Sequence, residues 1–190
     1  MNIGRVLART TIGGLFIGHG TQKLFGWFEG PGIEGTTGMM DKLEMHPARE
    51  NALAAGIAET AGGALLAAGA LMPVAGAMLT GTMATAIRKV HLKNGLWNTG
   101  GGYEFNLTLV AAAIALIETG PGRPSVDEAL GLKLKGNGWA LAALAAGIGG
   151  SAAAIELAKR RSAEEQAEPS GRFERSPEGV EQSAAAHNPA

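Results

Sequence analysis

The chain has 190 residues, a net charge of −1 and no cysteine. That length suits one ordinary domain, and the absent thiols exclude disulfides, Fe–S clusters, thiolate zinc sites and cysteine redox relays. The near-neutral charge provides no basic surface for nucleic acid, so no nucleic-acid partner is expected.

Charge is scarce, at 17% of residues, and its placement decides the class. Asn51 to Ile87 holds a single charged residue, Glu59, and Gly136 to Ile155 holds none. A membrane span needs about 20 mostly apolar residues, whereas a soluble helix shows a charged face every turn or two. The competing reading, a soluble helical bundle, draws support from the low mean hydropathy, which the many Gly and Ala residues and a polar tail dilute. The expectation is an all-α membrane protein: an antiparallel bundle of four transmembrane helices plus a fifth C-terminal apolar helix.

Taken in order, residues 1–25 predict an uncleaved first span, since no Ala-x-Ala site follows its apolar centre. Gly14 and Gly18 form a Gly-x-x-x-Gly pair suited to close helix approach. Residues 26–50 predict a loop with Trp27 and Phe28 in an interfacial aromatic belt. Within it, 36–45 predicts a short surface helix with Met39, Met40, Leu43 and Met45 as its apolar side. Residues 51–71 predict the second span, with Met72-Pro73 breaking the run. Residues 74–90 predict the third span, whose Gly76, Thr80, Gly81 and Thr85 suit tight packing. A polar loop, 88–102, precedes a fourth span over 103–118. Gly120-Pro-Gly-Arg-Pro124 is a breaker cluster, and Ser125-Val-Asp-Glu128 opens a short capped helix. Residues 139–157 predict the fifth apolar helix, stopped by Lys159-Arg160-Arg161. The domain reading is a bundle over 1–120, a linker and fifth helix over 121–161, and a disordered polar tail over 162–190.

With five spans, Lys23, Lys42, Arg49, Arg88, Lys89, Lys93 and Lys159-Arg160-Arg161 gather on one side. Arg5, Arg9, Arg123, Lys133 and Lys135 gather on the other. The excess of basic residues on the first side puts it, and the tail, in the cytoplasm. The expected location is the bacterial plasma (inner) membrane, multi-pass.

Alternation of span direction brings His19, Lys23, Glu59, Arg88, His91 and Glu104 to one end. A carboxylate inside a span faces a bundle interior or cavity, so Glu59 is a candidate proton carrier; the plainer reading is a structural hydrogen bond to Arg9, His19 or a neighbouring helix. Arg88 and His91 are candidate donors to a ligand oxygen, with Glu59 and Glu104 as proton acceptors. Asn94 and Lys23 are further ligand-binding candidates, while Lys89 and Lys93 read as interfacial anchors. The Gly100-Gly-Gly102 amides would hold an anion or carbonyl oxygen at a helix start, or simply turn. His46 and His187 read as solvated. No metal motif is present, because the four His residues lie far apart in sequence.

The residues Arg9-(x)8-Gly18-His19-Gly20-x-x-Lys23-Leu24, then Glu59-x-x-Gly62-Gly63, then His91-x-x-Asn94-Gly95 with Glu104 resemble the DoxX family of small bacterial membrane proteins. The likeness covers roughly 3–117. It implies a four-helix membrane bundle and a role as the membrane subunit of a redox complex, linked to quinone and to soluble redox partners. No covalently bound cofactor is implied, and without cysteine any sulfur chemistry would sit in partners. The fifth apolar segment and the long tail depart from that pattern. Two alternatives remain: a non-catalytic scaffold for soluble redox-stress enzymes, or a small proton-coupled transporter with Glu59 as its coupling carboxylate. The oligomeric state is open, and so is whether the chain has catalytic activity.

Overall fold

A computed structural model describes residues 2–167, whose regular structure is all helical, with no strand among them. Five long helices alternate in direction: α1 (Ile3–Phe25), α3 (Ala48–Ala68), α4 (Met72–Ala86), α5 (Glu104–Thr119) and α7 (Asn137–Ala167). Two short ones lie at the ends, α2 (Gly32–Lys42) and α6 (Val126–Ala129). The core is built where α1 meets α3 and where α4 meets α5 and α7. Phe16, Leu66, Met72, Leu79, Leu116 and Ile117 are buried there.

Small residues set these contacts, but not the predicted pair on α1. A Cβ on Gly14 or Gly18 would meet nothing within 4 Å. The close approach uses Gly13 and Gly20 instead. A Cβ on Gly13 would come to 2.5 Å from the Gly63 carbonyl oxygen, and one on Gly20 to 2.6 Å from the Thr60 nitrogen. The facing helix repeats the same seven-residue spacing with Gly56 and Gly63, two turns being about seven residues. On α4 the expected small residues do pack: Gly76 accepts Ile117 of α5, and Thr80 presses on Gly147 of α7. Thr85 Oγ1 and Ser151 Oγ share a hydrogen bond of 2.8 Å between α4 and α7.

The break between the second and third helices falls earlier than predicted. Gly69 ends α3 with φ 65°, while Pro73 sits in the first turn of α4, where its missing N–H has no intrahelical role. The turn is clamped from both sides. Arg9, 3% exposed, donates to the carbonyls of Ala67, Pro121 and Pro124. Asp127, 2% exposed, accepts the amides of Leu71 at 2.7 Å and Met72 at 3.2 Å. A cation thus sits at the end of α3 and an anion at the start of α4, each the favourable sign for its helix end. The predicted cap, Ser125, makes no capping hydrogen bond to α6.

The last helix does not stop at Lys159-Arg160-Arg161. It runs on through Ala167, so residues 162–167 of the expected tail are helical; the rest, with His187, lies outside the described residues. Among the described residues, 137–164 is the one stretch long and apolar enough to cross a membrane by length and composition. Helices α1 and α3 have the length, but Gly, Thr and charged residues dilute their apolar character. Helices α4 and α5, with 15 and 16 residues, fall short of the roughly 20 that a span uses.

Candidate functional site

The even number of reversals brings the end of α1, the start of α3, the end of α4 and the start of α5 together. At this end lies a cavity of about 300 Å³. Its polar wall carries His19, Lys23, Glu59, Lys89, His91, Asn98 and Asn106. Its apolar wall is Phe16, Phe105, Leu109, Met83 and a methionine-rich flap, Met39, Met40, Leu43 and Met45. That flap is the apolar side of the short helix expected to lie on lipid. It faces the cavity, with Met40 and Met45 buried.

At the centre of the polar wall is an ion pair. Lys23 Nζ lies 2.5 Å from Glu59 Oε2, with side-chain exposures of 21% and 6%. Helix α1 brings Lys23 down one turn past His19, and α3 brings Glu59 three turns in from its start. Glu59 therefore pairs with Lys23, not with Arg9 or His19; Arg9 belongs to the opposite end. A carboxylate this enclosed needs such a partner, because an unpaired buried charge is strongly destabilising.

Both cavity histidines have a defined ring nitrogen. His91 Nδ1 donates to the Gly101 carbonyl at 2.8 Å, and His19 Nδ1 donates to Gln22 Oε1 at 3.1 Å. With Nδ1 carrying the proton, Nε2 of each neutral ring is left as an acceptor.

The helical register after Ala86 explains which basic residues arrive. Residues Ile87–His91 form a π-helical turn. Its wider i→i+5 bonding shifts the face by about one residue against α-helical spacing. Lys89 and His91 line the cavity, whereas Arg88 is exposed and outside its wall. Lys89, expected as an interfacial anchor, thus stands in the cavity wall.

Two other expected site residues build the loop that walls the cavity instead of lining it. Glu104 Oε2 accepts the Asn98 amide at 2.9 Å, and Asn94 Nδ2 donates to the Gly101 carbonyl at 3.1 Å. The glycine triplet is also spent inside this loop. The amides of Gly100, Gly101 and Gly102 donate to Trp97, Asn98 and Trp97 carbonyls at 3.0, 2.9 and 3.0 Å. They therefore hold no anion at the start of α5. A side chain at 102 would sit 2.3 Å from the Gly95 oxygen, so this position needs glycine. His46, expected in solvent, is half-buried and lies 3.9 Å from Asp41.

Asn98 and Asn106 were missed by the sequence reading. Asn106 is buried in the first turn of α5, and its Nδ2 lies 3.3 Å from the Met83 sulfur. A lone amide in an otherwise apolar helix was the signal available. Among the described residues there is no cluster of His, Asp and Glu fit to hold a metal ion.

No curated protein and no solved structure matches the chain. The DoxX family model matches residues 4–92, the segment that contributes His19, Lys23, Glu59, Lys89 and His91 to the cavity wall. Over that segment, a little under half of its length, the chain is similar to DoxX, a family of membrane proteins.

Proposed function

We propose that the protein is a multi-pass subunit of a redox complex in the bacterial inner membrane, and that its cavity takes a quinone-like head group. The observation that carries this reading is the enclosed Lys23–Glu59 pair on the wall of an otherwise apolar cavity, flanked by two histidines. A volume of about 300 Å³ falls at the low end of small-molecule sites, which combine apolar walls with a few converging polar groups. A flat ring with two carbonyl oxygens calls for that mixture. Phe16, Phe105 and the methionines would contact its faces, and soft, unbranched methionine adapts to an irregular ligand. Lys89 and the amide of Asn106 or Asn98 would donate to a carbonyl oxygen.

When bound, a quinone supplies two-electron, two-proton redox chemistry. The chain's own part is to hold the ring, exclude water and manage the protons. Nε2 of His91 and of His19 can each take a proton while Nδ1 stays bonded to its backbone or amide partner. Glu59 would hold the local charge balance through Lys23 and accept a proton when Lys23 turns to the ligand. Arg88, Asn94 and Glu104 then serve the loop and the surface, not the ligand.

The multi-pass reading rests on the alternating helices and the exposed apolar residues on several of them, among them Leu7, Leu15, Ile57, Leu107 and Leu141. Trp27 and Phe28 are also exposed, as belt residues would be. The test is to purify the full chain in mild detergent and extract what accompanies it. Quinone at one equivalent, lost in both Glu59→Gln and His91→Ala, supports the proposal. Partner proteins without quinone would move the reading to a scaffold.

A further inference from the structure

A second cavity of about 260 Å³ lies between α3, α4 and α7, and it shares Met40, Met45, Ala55, Thr82 and Thr85 with the first. Its remaining lining is nearly all small or apolar. Ala58 comes from α3, Ala77 and Gly81 from α4, and Gly150 and Ala154 from α7. The few polar side chains there already have partners. Asn51 Nδ2 donates to the carbonyls of Met45 and Pro47 at 3.2 and 3.0 Å, and Ser151 is bonded to Thr85. Thr82 and Thr85 donate to the carbonyls of Leu79 and Gly81. With these donors engaged, the groove offers mainly apolar contact.

The groove has a direction. From Thr85 back to Ala77 it follows α4 for about 12 Å at 1.5 Å per residue. That path leads away from the polar end and towards the middle of the bundle. Methionines 40 and 45, from the flap, form the boundary between the two spaces, and unbranched thioether side chains can yield to an elongated ligand. The two spaces thus adjoin across shared residues, one charged and hydrogen-bonding and the other largely apolar.

We infer that the ligand is a single-chain amphiphile whose head sits in the cavity beside Lys23 and Glu59 and whose aliphatic tail lies in the groove between α3, α4 and α7. This deepens the head-group proposal and rests on it. Helix α7, which supplies one wall of the groove, lies outside the segment matched to the family. The partly open groove also gives a route by which a membrane-dissolved molecule enters sideways without crossing the loop over 92–103.

The test compares two probes on the full chain in nanodiscs: a benzoquinone with a ten-carbon tail and its tail-less counterpart. Gly150→Phe and Ala154→Phe block the groove from α7. A Cβ at 150 would meet nothing within 4 Å, so the added side chain starts from open space. Gly149→Phe, equally open and outside the groove lining, is the control. The expected result is a tail advantage of about tenfold in the unaltered protein, kept in Gly149→Phe. It is lost in Gly150→Phe and Ala154→Phe, with tail-less binding unchanged. If the advantage survives both blocking variants, or is absent from the start while the tail-less probe binds, the tail site is wrong and the head-group reading stands. If neither probe binds, the head-group reading fails and takes the tail site with it.

Discussion

Lys23 Nζ and Glu59 Oε2 stand 2.5 Å apart, tying the end of α1 to the middle of α3 at the cavity wall. The two residues are 36 positions apart in sequence, and the glycine-to-glycine crossing of these helices is what lets them meet.

Removing one partner should therefore cost more than removing both. Lys23→Met leaves the Glu59 carboxylate enclosed and uncompensated, a loss of about 2 kcal/mol once the partial exposure of Lys23 is allowed for. Glu59→Gln keeps an oxygen for Lys23 and should cost less, about 1 kcal/mol. The double variant should recover a substantial part of the summed loss. Thermal unfolding of all four proteins in one detergent checks this. Losses that add within about 0.5 kcal/mol would mean the pair is not coupled.

The glycines on α1 separate into two classes with opposite responses. Gly13→Ala and Gly20→Ala drive a methyl into the backbone of α3 and should lower the melting temperature sharply, with a cost of about 2 kcal/mol or more. Gly14→Ala and Gly18→Ala meet open space and gain helix propensity of up to about 1 kcal/mol. A melting series on the four single variants distinguishes them. Equal losses at positions 14 and 18 would mean that a partner helix covers that face in the membrane.

That contrast shows where sequence reasoning stops. The long helices were legible, because charge-free runs and Gly/Pro punctuation mark them directly. The convergence of His19, Lys23, Glu59 and His91 followed from alternating direction alone. The glycine face is not the expected one, since Gly13, Gly14, Gly18 and Gly20 all offer small residues and only the partner helix chooses among them. Lys89 in place of Arg88 has a different cause: alternating span direction brings both residues to this end, and it does not say which of two adjacent basic residues faces the cavity. The roles of Arg9 and Asp127 were hidden for another reason. Each meets groups more than 50 residues away, and nothing local in the sequence names them.

The clamp formed by those two residues should control the turn between α3 and α4. Asp127→Ala strips the acceptor from two amides at the start of α4, and losing such a cap costs about 1–2 kcal/mol. Asp127→Asn keeps one accepting oxygen and should cost about half as much. Arg9→Met leaves the carbonyls of Ala67, Pro121 and Pro124 without their donor and should be at least as damaging as Asp127→Ala. Limited proteolysis across 120–136, read beside thermal unfolding, checks the order. Quinone binding at the other end should change little, since none of these residues touches the cavity.

The loop over 92–103 gives the sharpest separation between contact and positioning. His91 and Asn94 donate to the same Gly101 carbonyl, but of the two only His91 lines the cavity. Asn94→Ala removes one of two donors and should loosen the loop. A loss worth about 1 kcal/mol would appear as roughly a fivefold weaker quinone affinity. His91→Ala removes the same tether and also the cavity-facing ring, so its loss should exceed tenfold. His91→Asn, which can restore a donor to Gly101 without an imidazole, should regain loop order but not proton-linked activity. Equilibrium binding with a tail-less quinone, measured across pH 5.5 to 8, reads both effects. If Asn94→Ala and His91→Ala weaken binding equally and neither changes its pH dependence, His91 is a loop tether alone, and proton transfer must rest on Glu59 and His19.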